Sequence, residues 1–249
     1  AAQHPHDVRA VTIACADEVP VIVGAAGIEE DTVSVAGPVP ADDEILIQVA
    51  MAAVNPLDWR RMRADPFFMR LSFGLFKPKD QRLGADVAGR VVAVGKDVVR
   101  FQPGDAVFGE AMVAGFAEYL AAKEKLFASK PDNITFAEAA AAPVAALTAL
   151  QGLRDTGKIQ PGQRVLVNGA SGGVGTYAVQ MAKAMGAAEV TAVSSGRNHD
   201  LVRSIGADHA IDYTQEDFTR SGRQYDLIFD AVGNRTVADL RRALAPDGA

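Results

Sequence analysis

Arg164-Val165-Leu166-Val167-Asn168-Gly169-Ala170-Ser171-Gly172-Gly173-Val174-Gly175 is the stretch around which this chain is organised. The apolar run Val165–Val167 reads as a buried strand that breaks into a glycine-rich turn, and residues 176–185 then read as a helix. Inside the turn, Ala170-x-Gly172-x-x-Gly175 has the dinucleotide-binding spacing, with Ala in place of the first Gly. Gly172 lets the backbone approach a pyrophosphate, and Gly175 lets the helix pack closely on the strand. Ser171, Gly172, Gly173, Val174 and Gly175 are therefore the expected phosphate contacts, where the free N–H groups and partial positive charge of a helix start meet an anion. A glycine turn by itself is a weak signal. The strand before it, the helix after it and a second strand at 190–193 supply the context the motif requires.

Working outward, the alternation continues C-terminally through 199–205, 209–212, 218–220, 227–231 and 236–244. Strand and helix in turn, with short connections, predict a parallel sheet covered by helices. On the N-terminal side, Thr135-Phe136-Ala137-Glu138 has capping-box spacing and opens an Ala-rich helix. Pro143 interrupts that helix, which resumes over 144–153. The first half has another character: strand-like pieces at 8–13, 19–35, 44–53, 84–94, 106–108 and 115–121, separated by turns such as Gly37-Pro38 and Pro103-Gly104. Asn55-Pro56 starts a short helix, with Pro near its first turn. Residues 65–79, carrying Phe67, Phe68, Phe73 and Phe76 at no clean period, read as a loop beside a cleft. The expected division is a tail over 1–7, a β-rich domain over 8–135 and a dinucleotide-binding domain over 136–249.

Composition narrows the function classes. With 49% hydrophobic and 22% charged residues, the 249-residue chain can bury a core. A net charge of −6 offers no basic face for nucleic acid. Cys15 is the only cysteine, which leaves no internal disulfide and no site of several thiolates. The longest apolar run, 139–150, contains Pro143 and is too short to span a bilayer, and residues 1–7 lack the apolar region of a signal peptide. A cytoplasmic protein with neither nucleic-acid nor membrane partner is the expectation.

The second strand ends Ser194-Ser195-Gly196-Arg197-Asn198 without an acid at its tip. An acid there would bind the ribose 2′-hydroxyl of NAD. Facing a 2′-phosphate about 4 Å away, it would cost on the order of 1–4 kcal/mol in wet surroundings. Its absence, with Arg197 supplying a guanidinium fork, favours NADPH. Two motifs mislead. Tyr119-x-x-x-Lys123 copies a short-chain dehydrogenase dyad but precedes the glycine turn and falls on a predicted strand. Gly89 to Lys96 is one residue too long for a P-loop, and Asp97 replaces its Ser/Thr.

Five ordered motifs carry a family resemblance: Asn55-Pro56-Leu57-Asp58, Gly84-Ala85-Asp86-Val87-Ala88-Gly89, Phe101-x-Pro103-Gly104-Asp105-x-Val107, Leu147-Thr148-Ala149 and the glycine turn. Together they resemble the zinc-independent medium-chain dehydrogenase/reductases, in the quinone oxidoreductase branch that includes zeta-crystallin. The resemblance implies an α/β chain with a GroES-like β-barrel catalytic domain followed by a Rossmann parallel-sheet domain. It implies NADPH-dependent hydride transfer to a small quinone, enone or related carbonyl, and a homodimer in the full-length parent. Asn55 and Asp58 are the catalytic candidates: Asn55 would face the nicotinamide, while Asp58 would fix this loop or serve the cofactor ribose. Thr148 would meet the cofactor, and Ser194, Ser195, Arg197, Asn198 and Tyr213 would surround the 2′-phosphate.

The family often has Lys where Asn198 falls, and Tyr where Arg60 falls; an Arg at that place suits an anionic or strongly polarised acceptor. The zinc branch puts Cys where Asn55 stands and His-Glu where Ala85-Asp86 stands, so no metal is expected. The chain stops at Ala249 after four parallel strands, where the resemblance implies two more, so an incomplete Rossmann half is expected. Other readings are a non-catalytic nucleotide-binding module, which turnover with a small acceptor would distinguish, and an alcohol dehydrogenase-type member with another substrate.

Overall fold

The computed structural model describes residues 11–15, 19–23, 38–64, 70–71 and 82–249. The chain forms two compact units, Ala1–Val144 and Ala145–Ala249. The turns expected over 24–37 lie outside the described residues, as does the aromatic loop over 65–79 apart from residues 70–71, which are helical.

The first unit is antiparallel. Strands β1 (Val11–Cys15) and β2 (Val19–Val23) form a hairpin. Strands β3 (Glu44–Ala53), β4 (Asp86–Val94), β5 (Ala106–Glu110), β6 (Tyr119–Lys123) and β7 (Phe127–Ser129) form a five-stranded sheet ordered β6-β3-β4-β5-β7. Among the described residues, this sheet and hairpin are what stands for the expected GroES-like barrel. The period of two along β3 buries Ile45 and Ile47 against Val87, Val91, Val107, Leu120 and Phe127. Register shifts at Leu46/Ile47 and Val49/Met51 bend β3 on its way to Asn55.

Helix α1 (Pro56–Arg63) follows β3 directly. Helix α2 (Phe136–Ala140) starts at the expected capping box, with Glu138 N–H donating to Thr135 Oγ1 at 3.2 Å and Thr135 N–H to Glu138 Oε2 at 2.7 Å. Ala139 and Ala140 pack on Ala88 of β4, so α2 belongs with the first unit, and the break between units comes after it. Helix α3 (Pro143–Leu150) runs on into a π-helical turn, Gln151–Thr156, in which Gly157 N–H reaches Gly152 C=O at 2.8 Å.

The second unit is parallel. Strands β8 (Arg164–Asn168), β9 (Glu189–Ser194), β10 (His209–Asp212) and β11 (Leu227–Asp230) take the order β10-β9-β8-β11. Helices α4 (Gly173–Ala184), α5 (His199–Ser204) and α6 (Val237–Ala243) complete it. Both faces of the sheet are covered, which is why its strands are continuously apolar. Val165, Val167, Val190 and Ala192 pack with Ala178, Val179 and Ala182 on one side. Leu166, Val193 and Ile211 pack with Phe218 and Tyr225 on the other. The strand order reverses between β8 and β11, and in open α/β sheets the crevice beyond such a reversal takes the ligand. Among the described residues no helix is long and apolar enough to cross a membrane.

Candidate functional site

The glycine turn leaves β8 at Gly169, whose φ of 83° is a left-handed conformation that suits glycine. Gly169 and Ala170 N–H both donate to Val193 C=O, at 3.1 and 3.0 Å, and so tie the turn to β9. A Cβ on Gly175 would lie 2.1 Å from Gly169 O and 2.7 Å from Ala170 Cα, so only glycine lets α4 pack this close. At Gly172 an added Cβ would meet only Gly169 O, at 3.3 Å, and at Gly173 only the Ala145 side chain, at 3.9 Å. This side of the turn is open, and Gly172, the N-cap of α4, brings no side chain to the cap. The N–H groups of Gly173, Val174 and Gly175 have no acceptor within the helix. They form an open anion cradle that fits a pyrophosphate.

The rim of the cradle comes from the end of β9. Asn198 Nδ2 donates to Ser171 Oγ at 3.0 Å and to Ser195 Oγ at 3.2 Å, joining the glycine turn to the segment after β9. Ser194 is buried and its hydroxyl rests on Ser195 C=O, while Arg197 is exposed with no ion pair among the described residues. Tyr213 is exposed, with its N–H on Ser194 C=O at 3.2 Å. Ser171, Ser194, Ser195, Arg197, Asn198 and Tyr213 are thus gathered at one end of the sheet.

A further residue at this rim escapes a reading of β9 alone. Asp212, the last residue of β10, sits opposite Ser194 in register. Its Oδ2 lies 2.6 Å from where a Gly196 Cβ would be. Hydrogen bonds from the backbone and side chain of Thr214, and from Gly196 N–H, hold this carboxyl below its ordinary value. On the crevice side of β8, Asn168 Nδ2 bonds Asp230 Oδ1 at 2.9 Å and Asn234 Oδ1 at 3.2 Å, pinning the ends of β8 and β11 together. Thr148 is an exposed residue of α3.

In the first unit, Asn55 ends the extended segment after β3 and caps α1, and both it and Asp58 are buried. Asp58 Oδ2 accepts from Asn55 N–H at 2.8 Å and Oδ1 accepts from Gly84 N–H at 3.0 Å. Gly84 is held at φ 97°, and a Cβ there would strike Phe116 N at 2.5 Å. Both oxygens of Asp58 thus brace the loop. The Asn55 side chain turns elsewhere, donating through Nδ2 to Asp86 Oδ2 at 3.0 Å.

Asp86, the first residue of β4, is fully buried and faces Glu110 across the β4–β5 pairing. Its carboxyl also accepts from Val144 N–H in the first turn of α3, with both oxygens at 3.1 Å. Burial lifts this carboxyl to about 7; the Val144 and Asn55 hydrogen bonds oppose the rise, and the charges of Glu110 and Asp58 add to it. The signal available for Asp86 in the sequence was its place in the Gly84–Gly89 motif. Trp59 is flanked by Arg60 and Arg63, each guanidinium carbon 5.6 Å from its ring centroid.

The misleading motifs resolve as structure. Tyr119 and Lys123 lie on β6, where Lys123 pairs with Asp43 at 3.0 Å and the Tyr119 hydroxyl meets Gln48. Lys96 pairs with Asp42 at 3.0 Å. Among the described residues no group of three or more His, Cys, Asp or Glu could hold a metal ion.

Residues 41–196 match the family model of the alcohol dehydrogenase GroES-like domain, and residues 173–249 that of zinc-binding dehydrogenase. The chain is 41% identical over 214 residues to 2-methylene-furan-3-one reductase of Solanum lycopersicum, a match covering 80% of this chain and 52% of the reductase. To the chloroplast envelope quinone oxidoreductase homolog of Arabidopsis thaliana it is 38% identical, over 90% of this chain and 70% of the relative. The solved quinone oxidoreductase of Coxiella burnetii superposes with a TM-score of 0.75 at 29% identity, covering 96% of this chain and 72% of that one. The chain therefore spans about half the length of the tomato reductase and about two thirds or more of the other two.

Proposed function

Since the chain belongs to the medium-chain dehydrogenase/reductase superfamily, in its quinone and enone oxidoreductase branch, we propose that it is part of an NADPH-dependent reductase of small quinones, enones or related carbonyls that works without zinc. The observation that carries this reading is the open glycine cradle at the start of α4, whose rim is joined to the glycine turn by Asn198. Bound there, a reduced nicotinamide dinucleotide would supply a hydride, and the acceptor would take up that hydride with a proton from solvent.

The chain's own part is to bind and orient. The N–H groups of Gly173, Val174 and Gly175 would hold the pyrophosphate, and the Ser195 hydroxyl and the Arg197 guanidinium would receive a 2′-phosphate. Asn198, shorter than Lys, gives the rim a hydrogen-bond bridge where a charge would otherwise stand. Asn55 would meet the nicotinamide, with Asp58 fixing its loop. Arg60 favours an acceptor that is anionic or strongly polarised.

Calorimetric titration with NADPH and with NADH, followed by turnover with a quinone and an enone, tests the proposal. NADPH should bind the tighter of the two, and oxidation of NADPH should depend on the acceptor. Tighter NADH binding would overturn the cofactor assignment. NADPH binding without turnover on any acceptor would favour a nucleotide-binding module.

A further inference from the structure

Asn55 and Asp58 brace one another through the backbone, but the side-chain amide of Asn55 is held by a different residue. Asp86 takes the Asn55 Nδ2–H at 3.0 Å and the Val144 N–H at 3.1 Å, in a place that solvent does not reach. A carboxylate only accepts hydrogen bonds, whereas a carboxylic acid also donates one. With Asp86 ionised, Asn55 must turn its Nδ2 inward. With Asp86 protonated, the acid proton can be donated to Asn55 Oδ1, which turns the amide over. We infer that Asp86 is a positioning residue whose carboxyl decides which end of the Asn55 amide is offered to a ligand.

The surroundings let this carboxyl change state near neutrality. Among the described residues, the charged groups that act most strongly on it are acids: β5 brings Glu110 and α1 brings Asp58, while α3 brings the uncharged Val144 N–H. Burial and the two neighbouring acids oppose the charge that the hydrogen bonds favour, and the balance falls at about 7. The inference rests on the reading that Asn55 meets the nicotinamide. An outward-facing Asn55 Oδ1 accepts from the NH2 of a carboxamide; an outward-facing Nδ2 donates to its carbonyl. The 3-acetylpyridine analogue of NADPH keeps the carbonyl and lacks the NH2, so the two cofactors report the orientation.

Two measurements separate this inference from the reading beneath it. In ligand-free 15N-labelled protein, the Asn55 side-chain NH2 resonances, assigned with Asn55→Ala, are followed from pH 5.5 to 8.5 in wild type and in Asp86→Asn. They should titrate in wild type and stay flat in the variant. Flat wild-type resonances would overturn the inference whether or not NADPH binds.

Binding of NADPH and of the acetylpyridine analogue is then compared at both ends of that range. The preference for NADPH should rise by about three- to tenfold with pH in wild type, the worth of one hydrogen bond. It should be independent of pH in Asp86→Asn and absent in Asn55→Ala. Loss of packing alone would weaken both ligands together and leave their ratio unmoved. Failure of NADPH to bind would sink the functional reading and leave the resonance result to decide the role of Asp86.

Discussion

A carboxyl buried beside other acids stabilises the fold only while it carries a proton, and Asp86 is in that position. Its folded value of about 7 stands above the ordinary 3.8. Its contribution is therefore complete below about pH 4 and lost as the pH rises through about 7. In a chain of this size each kcal/mol moves the melting temperature by roughly 2–4 °C. Wild type should accordingly lose several degrees between pH 5 and 8 by thermal denaturation, and Asp86→Asn should flatten that slope. An unchanged slope would mean that Asp86 is already charged at pH 5. The glycine turn makes the contrasting case at the same scale. Gly175→Ala would push a Cβ to within 2.1 Å of Gly169 O, so α4 must move off the sheet. Destabilisation of about 1–3 kcal/mol is expected for such overpacking, read by urea denaturation. Gly175 was legible in the sequence because its motif spans six residues. The motif around Asp86 was legible too, but its hold on Asn55 was not, because its partners stand 31 and 58 residues away and only the fold brings them to it. Asp212 escaped notice for a related reason: the acid near the end of β9 arrives from β10.

At the scale of elements, the helix starts show how far local chemistry reaches. Thr135 and Glu138 complete each other's bonds within four residues, and the same pattern recurs at Thr236 and Asp239, so both boundaries could be written from sequence alone. The start of α1 is only half local. Asp58 satisfies the N–H of Asn55 nearby and that of Gly84, 26 residues on, so it fastens the helix to the entrance of β4. Asp58→Ala leaves both donors buried and unmatched, at about 1–3 kcal/mol for each such group. Thr135→Ala removes an exposed cap worth about 1 kcal/mol. Chemical denaturation should therefore rank Asp58→Ala well above Thr135→Ala, and equal losses would show that solvent reaches the α1 start. The parallel half was legible because its strands are buried on both faces and bounded by turns. The antiparallel half was legible only in pieces, because its sheet order joins strands far apart in sequence and its bulges leave no periodic trace.

For the molecule as a whole, the decisive feature is that each unit has a core of its own. Ile45, Ile47 and Val107 anchor one cluster, while Val165, Val167 and Leu166 belong to the two that flank the parallel sheet. A ligand that touches residues of one unit alone stabilises that unit by about 2.7 kcal/mol at a hundredfold excess over its Kd. Adenosine 2′,5′-bisphosphate carries the 2′-phosphate without the nicotinamide, and by the proposed assignment its contacts all lie in Ala145–Ala249. Hydrogen exchange should slow at 169–175 and 194–198 on its addition and stay unchanged along β3 and β4. Exposed ion pairs are individually weak, so Arg197→Ala should loosen the bisphosphate by about two- to fivefold while ADP binding holds. Asp212→Asn acts in the opposite sense, because it removes a negative charge at the same rim. The pair of variants tests the electrostatics of the rim directly, since a 2′-phosphate bound there must gain from the second change and lose from the first. If both variants leave the bisphosphate affinity where it was, the 2′-phosphate does not sit at the end of β9, and the preference for NADPH must be sought elsewhere in the chain.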